Sequence, residues 1–119
     1  VWNYTINYSA MFNDGTTNGF GAVAGEVKGA VLSYRNSDGT RTTTKLGSES
    51  TPEKRYTGVD YSSTDPITVV IENAGSDANV QRLAIKANGR PSYNGMWSVV
   101  VDVNQVHMPS GINFANTDT

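Results

Sequence analysis

Val1-Trp2-Asn3-Tyr4-Thr5-Ile6-Asn7-Tyr8-Ser9-Ala10-Met11-Phe12 alternates almost without error between apolar and polar residues. Trp2, Tyr4, Ile6, Tyr8, Ala10 and Phe12 share one parity, and Asn3, Thr5, Asn7 and Ser9 hold the other. Side chains on a strand point to opposite faces with a period of two. The stretch is therefore a long amphipathic β-strand with an aromatic inner face. Asn13-Asp14-Gly15 ends it with a turn signal.

The same reading extends along the chain. Phe20–Val27 and Ala30–Arg35 read as extended segments, the first weakened by Gly19, Gly21 and Gly25. Glycine inside a strand marks a bulge or a close backbone approach. Asn36-Ser37-Asp38-Gly39 joins Ala30–Arg35 to Thr40–Leu46 as a hairpin. Gly47–Lys54 reads as a loop, Arg55–Tyr61 as a short strand, and Ile67, Val69 and Ile71 as the inner face of another. In Asn79–Ala87, Val80 has the wrong parity to join Leu83 and Ile85, which suggests a β-bulge near Gln81. Asn88-Gly89 and Asn94-Gly95 read as turns, and Met96–Val106 as the last long strand. No segment carries a sustained helical period.

Seven or eight strands separated by turns predict an all-β, antiparallel β-sandwich of general immunoglobulin or jelly-roll character. The whole of 1–119 reads as one domain, with 109–119 a loose tail or, through Ile112 and Phe114, an extra edge strand. The expected core comprises Trp2, Tyr4, Ile6, Tyr8, Leu32, Val69, Ile71, Leu83, Ile85, Trp97, Val99 and Val101.

Composition narrows the function classes. The chain has 119 residues, enough to bury a core without staples, and no Cys. That removes disulfides, thiolate zinc sites and cysteine nucleophiles together. Nine basic against eleven acidic residues leave no broad cationic field for nucleic acid. Six of the nine basic residues fall between Lys28 and Arg55. They read as a solvated hairpin and loop, with a local patch for an anion or glycan sulfate as the alternative. No apolar run reaches the ~20 residues of a membrane helix. A start at Val1 without Met suggests a processed mature chain or a trimmed one. Low charge with abundant Ser, Thr, Asn and Gly suits a secreted or cell-surface protein.

Few motifs carry chemistry. Asn3-Tyr4-Thr5 and Asn7-Tyr8-Ser9 match the glycosylation acceptor, making Asn3 and Asn7 candidate modification sites on one strand face. Gly19-Phe20-Gly21-Ala22-Val23-Ala24-Gly25 lacks the spacing and the helix of a dinucleotide loop. His107 is the only histidine, with no G-x-S-x-G elbow to partner it, so no catalytic residue is assigned. Glu49 with Glu53, or Asp60 with Asp65, has the residue types of a glycosidase pair, but turn-rich surroundings favour solvated carboxylates. Asp14, Asp38, Asp60, Asp65 and Asp77 fall near loops without calcium-loop spacing. No metal site and no cofactor is therefore assigned, and calcium has no motif behind it.

The remaining signal is aromatic. The chain has two Trp and six Tyr, with Tyr34, Tyr56, Tyr61 and Tyr93 near strand ends or turns. Exposed aromatics with Asn, Asp and Arg suit sugar rings and their hydroxyls, and such side chains are enriched at interfaces. Arg90, Tyr93, Asn94, Tyr56 and Tyr61 are the candidate ligand-binding residues. The first expectation is a non-enzymatic extracellular recognition module, lectin-like or adhesive, with a glycan or cell-surface partner. The second is a filament subunit that assembles with copies of itself by exchanging the N-terminal strand, through Trp2, Tyr4, Ile6, Tyr8 and Phe12. A small β pore-forming toxin is the third, and an enzyme the last.

Overall fold

The computed structural model describes residues 1–16, 19–50, 53–75 and 77–106. His107 and the tail from Pro109 onward, including Ile112 and Phe114, lie outside the described residues. Those described form antiparallel β-structure without helix, in seven strands. These are β1 (Trp2–Asn13), β2 (Phe20–Arg35), β3 (Arg41–Lys45), β4 (Lys54–Thr57), β5 (Ile67–Ala74), β6 (Asp77–Ala87) and β7 (Asn94–Gln105). One sheet runs β3-β2-β1-β7, with β4 beside the first half of β2. The other is the β5–β6 hairpin alone.

The alternation of β1 becomes the centre of the molecule. β1 lies between β2 and β7 and pairs with both along its whole length. Its even-numbered residues Tyr4, Ile6, Tyr8, Ala10 and Phe12 are buried, with Ile6 at 0 % exposure. They share one core with Val23, Val27 and Val31 of β2, Val59 and Tyr61, and Ile67 and Val69 of β5. The hairpin thus covers β1 and β2.

β2 is one strand of 16 residues, not two segments interrupted by glycine. The register explains why. Tyr4 faces Gly29, Ile6 faces Val27, Tyr8 faces Gly25 and Ala10 faces Val23. Large side chains on β1 lie over glycine on β2, and smaller ones meet valine. A Cβ on Gly25 would stand 2.5 Å from the Tyr8 hydroxyl and 2.7 Å from the Glu53 carbonyl. One on Gly29 would run into the Tyr4 ring and hydroxyl. Of the two meanings of strand glycine, this is close approach.

Several expected core residues lie elsewhere. Leu32 is only half-buried, because the inward phase of β2 belongs to Val23, Val27 and Val31. Trp2 is 42 % exposed at the end of β1. Val99 and Val101 have core-face parity but are exposed. Nothing among the described residues covers β7 as β5 covers β1. The irregularity expected near Gln81 is present: the β5–β6 register is regular from Ala87 back to Gln81 and breaks there, Asn73 pairing with Gln81 while the next residue, Ala74, pairs with Asp77. Gln81 itself takes the inward phase, its side-chain oxygen buried without a partner, and Val80 points out. Asn94-Gly95 is no turn but the start of β7, where Gly95 leaves room for the Phe12 ring. The segment after Thr57 leaves the sheet at Gly58, whose φ is +74°. A side chain there would collide with the Phe20 carbonyl.

A polar network joins the layers. The Tyr4 hydroxyl donates to Glu49 Oε1 at 3.0 Å. Lys45 pairs with the same carboxylate and donates to the Val69 carbonyl of β5. Burial pushes the Tyr4 phenol well above its ordinary pKa, and the bond to Glu49 adds to it. Burial also acts to raise Glu49, but Lys45, a backbone amide and Tyr4 together hold its carboxyl below the usual range.

Candidate functional site

Two loops meet beside the Phe12 end of the core. The first continues from β4 through Gly58, Val59, Asp60 and Tyr61. Val59 and Tyr61 turn inward, leaving Asp60 exposed between them. The second, Asn88–Tyr93, joins β6 to β7. Gly58, Val59, Asp60, Arg90, Pro91 and Tyr93 line a cleft of about 490 Å³ between the two.

The loops are fastened to each other by named bonds. Tyr61 donates its hydroxyl to the Asn88 carbonyl at 2.6 Å. Tyr93 donates its own to the Gly58 carbonyl at 3.1 Å. The Asn88 amide side chain donates to the Asp65 carbonyl at 2.8 Å. The Arg90 guanidinium lies 5.8 Å from the centroid of the Tyr61 ring and donates to Thr64 Oγ1 at 2.9 Å. Ser92 has φ +68°, unusual for a residue other than glycine, where the chain bends to bring Tyr93 back. Below the cleft, Phe12 meets Tyr61, Tyr93 and Trp97 with centroids 5.8–6.4 Å apart. That aromatic floor gives the loops a rigid seat.

The electrostatics are mixed. Asp60 accepts from the Ser62 amide at 2.9 Å. Ser62, chiefly, holds its carboxyl below the usual range, and the charges of Arg90 and Lys54 act in the same direction. None of the ion pairs among the described residues uses Arg90. The cleft therefore offers a carboxylate, a guanidinium and an amphipathic ring side by side.

The predicted ligand-binding residues are partly gathered here. Arg90 and Tyr93 line the cleft. Tyr61 does not: it is buried at 0 % exposure, so its ring belongs to the core and supports Arg90 from below. Tyr56 is 40 % exposed, with its ring 6.4 Å from that of Tyr61, but it is not among the residues that line the cleft. Asn94 is exposed but sits in β7 opposite Asn13, outside the cleft lining. Sequence reasoning missed Gly58, Val59 and Pro91 and gave Asp60 other roles. The usable signal was the Val59-Asp60-Tyr61 alternation beyond the end of the sheet.

Other candidates fall apart on placement. Glu49 is tied to Tyr4 and Lys45, Glu53 to Arg55 at 2.9 Å, and Asp65 to Lys54 at 4.0 Å. Asp14 and Asp38 each close a local turn with Thr16 and Thr40. Among the described residues, no three acidic, histidine or cysteine side chains gather as metal ligands. Also among them, no helix is long and apolar enough to cross a membrane. Of the basic residues in the Lys28–Arg55 stretch, Lys28, Lys45, Lys54 and Arg55 pair with carboxylates. Asn3 and Asn7 are exposed on the outer face of β1. On that same face an apolar trough of about 810 Å³ runs over Met11, Ala22, Ala24 and Met96, with Arg55 and Tyr56 also lining it. Its one charged lining residue, Arg55, is paired with Glu53, whereas the cleft brings a carboxylate and a guanidinium together.

Comparison with protein-family models, with curated proteins and with solved structures finds no match for this chain.

Proposed function

We propose that this domain is a non-enzymatic recognition module, a β-sandwich that holds a glycan in the cleft between Gly58–Asp60 and Arg90–Tyr93. One observation carries the reading: Asp60, Arg90 and Tyr93 converge on one cleft whose walls are hydrogen-bonded to each other. A sugar presents hydroxyls that both donate and accept, and an apolar ring face. Asp60 accepts, Arg90 donates, and Tyr93 and Pro91 supply apolar surface. The guanidinium, in no ion pair among the described residues, favours a sugar bearing a carboxylate or sulfate. A secreted or cell-surface setting fits this ligand and fits two glycosylation acceptors exposed at Asn3 and Asn7. The function rests on this cleft, whichever sandwich type the strand order belongs to.

Assembly by exchange of the N-terminal strand is the less favoured reading. β1 is paired on both edges, and its inner residues form most of the core on their sheet. Withdrawing it would expose that core.

A glycan array followed by calorimetric titration tests the proposal. Arg90→Ala is expected to weaken binding of an acidic oligosaccharide at least about tenfold, the size of a charge-assisted hydrogen bond. Uniform failure to bind any acidic or neutral glycan overturns it.

A further inference from the structure

The edge of β7 is unusual for this molecule. The opposite edge of the large sheet is made by β3 and β4, of 5 and 4 residues, carrying Arg41, Lys45, Lys54 and Arg55. Short, charged edges resist pairing with another chain. β7 has 12 residues, no proline, no break in register, and Asp102 as its one charge. No strand of the described residues pairs with its outer side.

The direction of its backbone groups can be read from one pair. The Val106 amide donates to the Val1 carbonyl at 2.8 Å, and the Val1 amino group donates to the Val106 carbonyl at 2.9 Å. Backbone groups alternate sides along a strand. Even-numbered residues of β7 therefore bond β1, and odd-numbered ones face the open edge. Those are Gly95, Trp97, Val99, Val101, Val103 and Gln105. The same parity faces the core side, where Val99, Val101 and Val103 are 38–49 % exposed. Unpaired backbone and uncovered valine thus coincide on the same residues.

We propose that the occupant of this edge is a second copy of the chain, joined β7 to β7 across a two-fold axis perpendicular to the sheet. Such an axis makes the strands antiparallel and keeps both core sides on one face. It requires odd-numbered residues to oppose odd-numbered ones, which is the parity the open edge supplies. Centred on Val100, the pairing sets Val99 against Val101, Trp97 against Val103 and Gly95 against Gln105. Every free amide and carbonyl of β7 then finds a partner. Asp102 falls opposite Ser98. Centring one residue pair further, on Asp102, would oppose the two carboxylates, and charge therefore disfavours it. The valines of both copies form one continuous apolar stripe. A contact of this kind is isologous and closes as a dimer rather than growing into a fibre.

The test is the mass of the full chain in solution, with amide hydrogen exchange on the same sample. The expected result is a mass of two chains, with Val99, Val101 and Val103 amides protected alongside those of Ser98, Val100 and Asp102. Val101→Pro removes only an edge-facing amide, so it should halve the mass and free Val99 and Val103 while Val100 and Asp102 stay protected. Val103→Lys, which puts a charge on the stripe, should also halve the mass if proline disturbs folding. A monomer whose odd-numbered amides exchange freely overturns the proposal. So does a monomer in which they are protected until the chain is cut after Val106, because residues 107–119 would then be the occupant. A dimer that survives both substitutions places the contact elsewhere and overturns it too.

Discussion

Gly25→Ala is expected to destabilise the fold, although alanine usually suits a strand better than glycine. The added methyl would lie 2.5 Å from the Tyr8 hydroxyl, 2.8 Å from the ring carbon that bears it and 2.7 Å from the Glu53 carbonyl. Tyr8 is 6 % exposed and has no room to swing aside. Glu53 leads directly into the Gly25–Lys54 pairing of β4. Overpacking of this kind costs about 1–3 kcal/mol. Relief of glycine's entropy returns roughly 0.5–1 kcal/mol. The net is a loss of about 1–2 kcal/mol, or a urea midpoint lower by roughly 1 M for a domain of this size. Gly89→Ala is the control, because no atom lies within 4 Å of its Cβ position. It should be neutral or stabilising by about 0.4–1 kcal/mol. In a double-mutant cycle, Tyr8→Val should recover part of the Gly25→Ala loss. A Gly25→Ala protein as stable as the parent, or more so, would refute the idea that tyrosine fills these glycine positions.

Ile6→Ala should cost about 2–5 kcal/mol in chemical denaturation, since Ile6 is fully buried between the two layers. Tyr61→Phe leaves the Asn88 carbonyl without its donor and should cost about 1–2 kcal/mol, with the loop amides near Asn88 exchanging faster. Glu49 has a lowered carboxyl pKa in the folded state, so its contribution is present above the ordinary value of 4.5 and is lost as pH falls through the folded value. The stability gap between the parent and Glu49→Gln should therefore narrow as pH drops below that point, and a gap independent of pH would contradict the Lys45–Glu49–Tyr4 network.

The central strand was legible in the sequence because its alternation matches a physical requirement, one buried face, over its whole length. β2 was harder. Its glycines break the local hydrophobic pattern, and their meaning lies in Tyr4 and Tyr8, 17 or more positions away in the chain. The phase slip of β6 was legible: Val80 is out of step with Leu83 and Ile85, and the β5–β6 register breaks directly beside Gln81, which itself takes an inward position. Val99 and Val101 looked like core because their residue types and parity are those of core. Whether a second layer covers them is a property of topology, which alternation does not encode. The cleft was half legible. Arg90 and Tyr93 stood out as residue types beside a turn, but Asp60 joins them only because the loop after β4 folds back over the start of β2 at Gly58.

The most direct test of the cleft as a ligand site is backbone amide NMR of the labelled protein, titrated with acidic oligosaccharides that an array selects. The account expects the resonances of Gly58, Val59, Asp60, Arg90 and Tyr93 to move together and saturate, with Arg90→Ala abolishing the shifts while the remaining spectrum is unchanged. Shifts that cluster instead over Met11, Ala22 and Met96 on the outer face, or that survive Arg90→Ala, would contradict it.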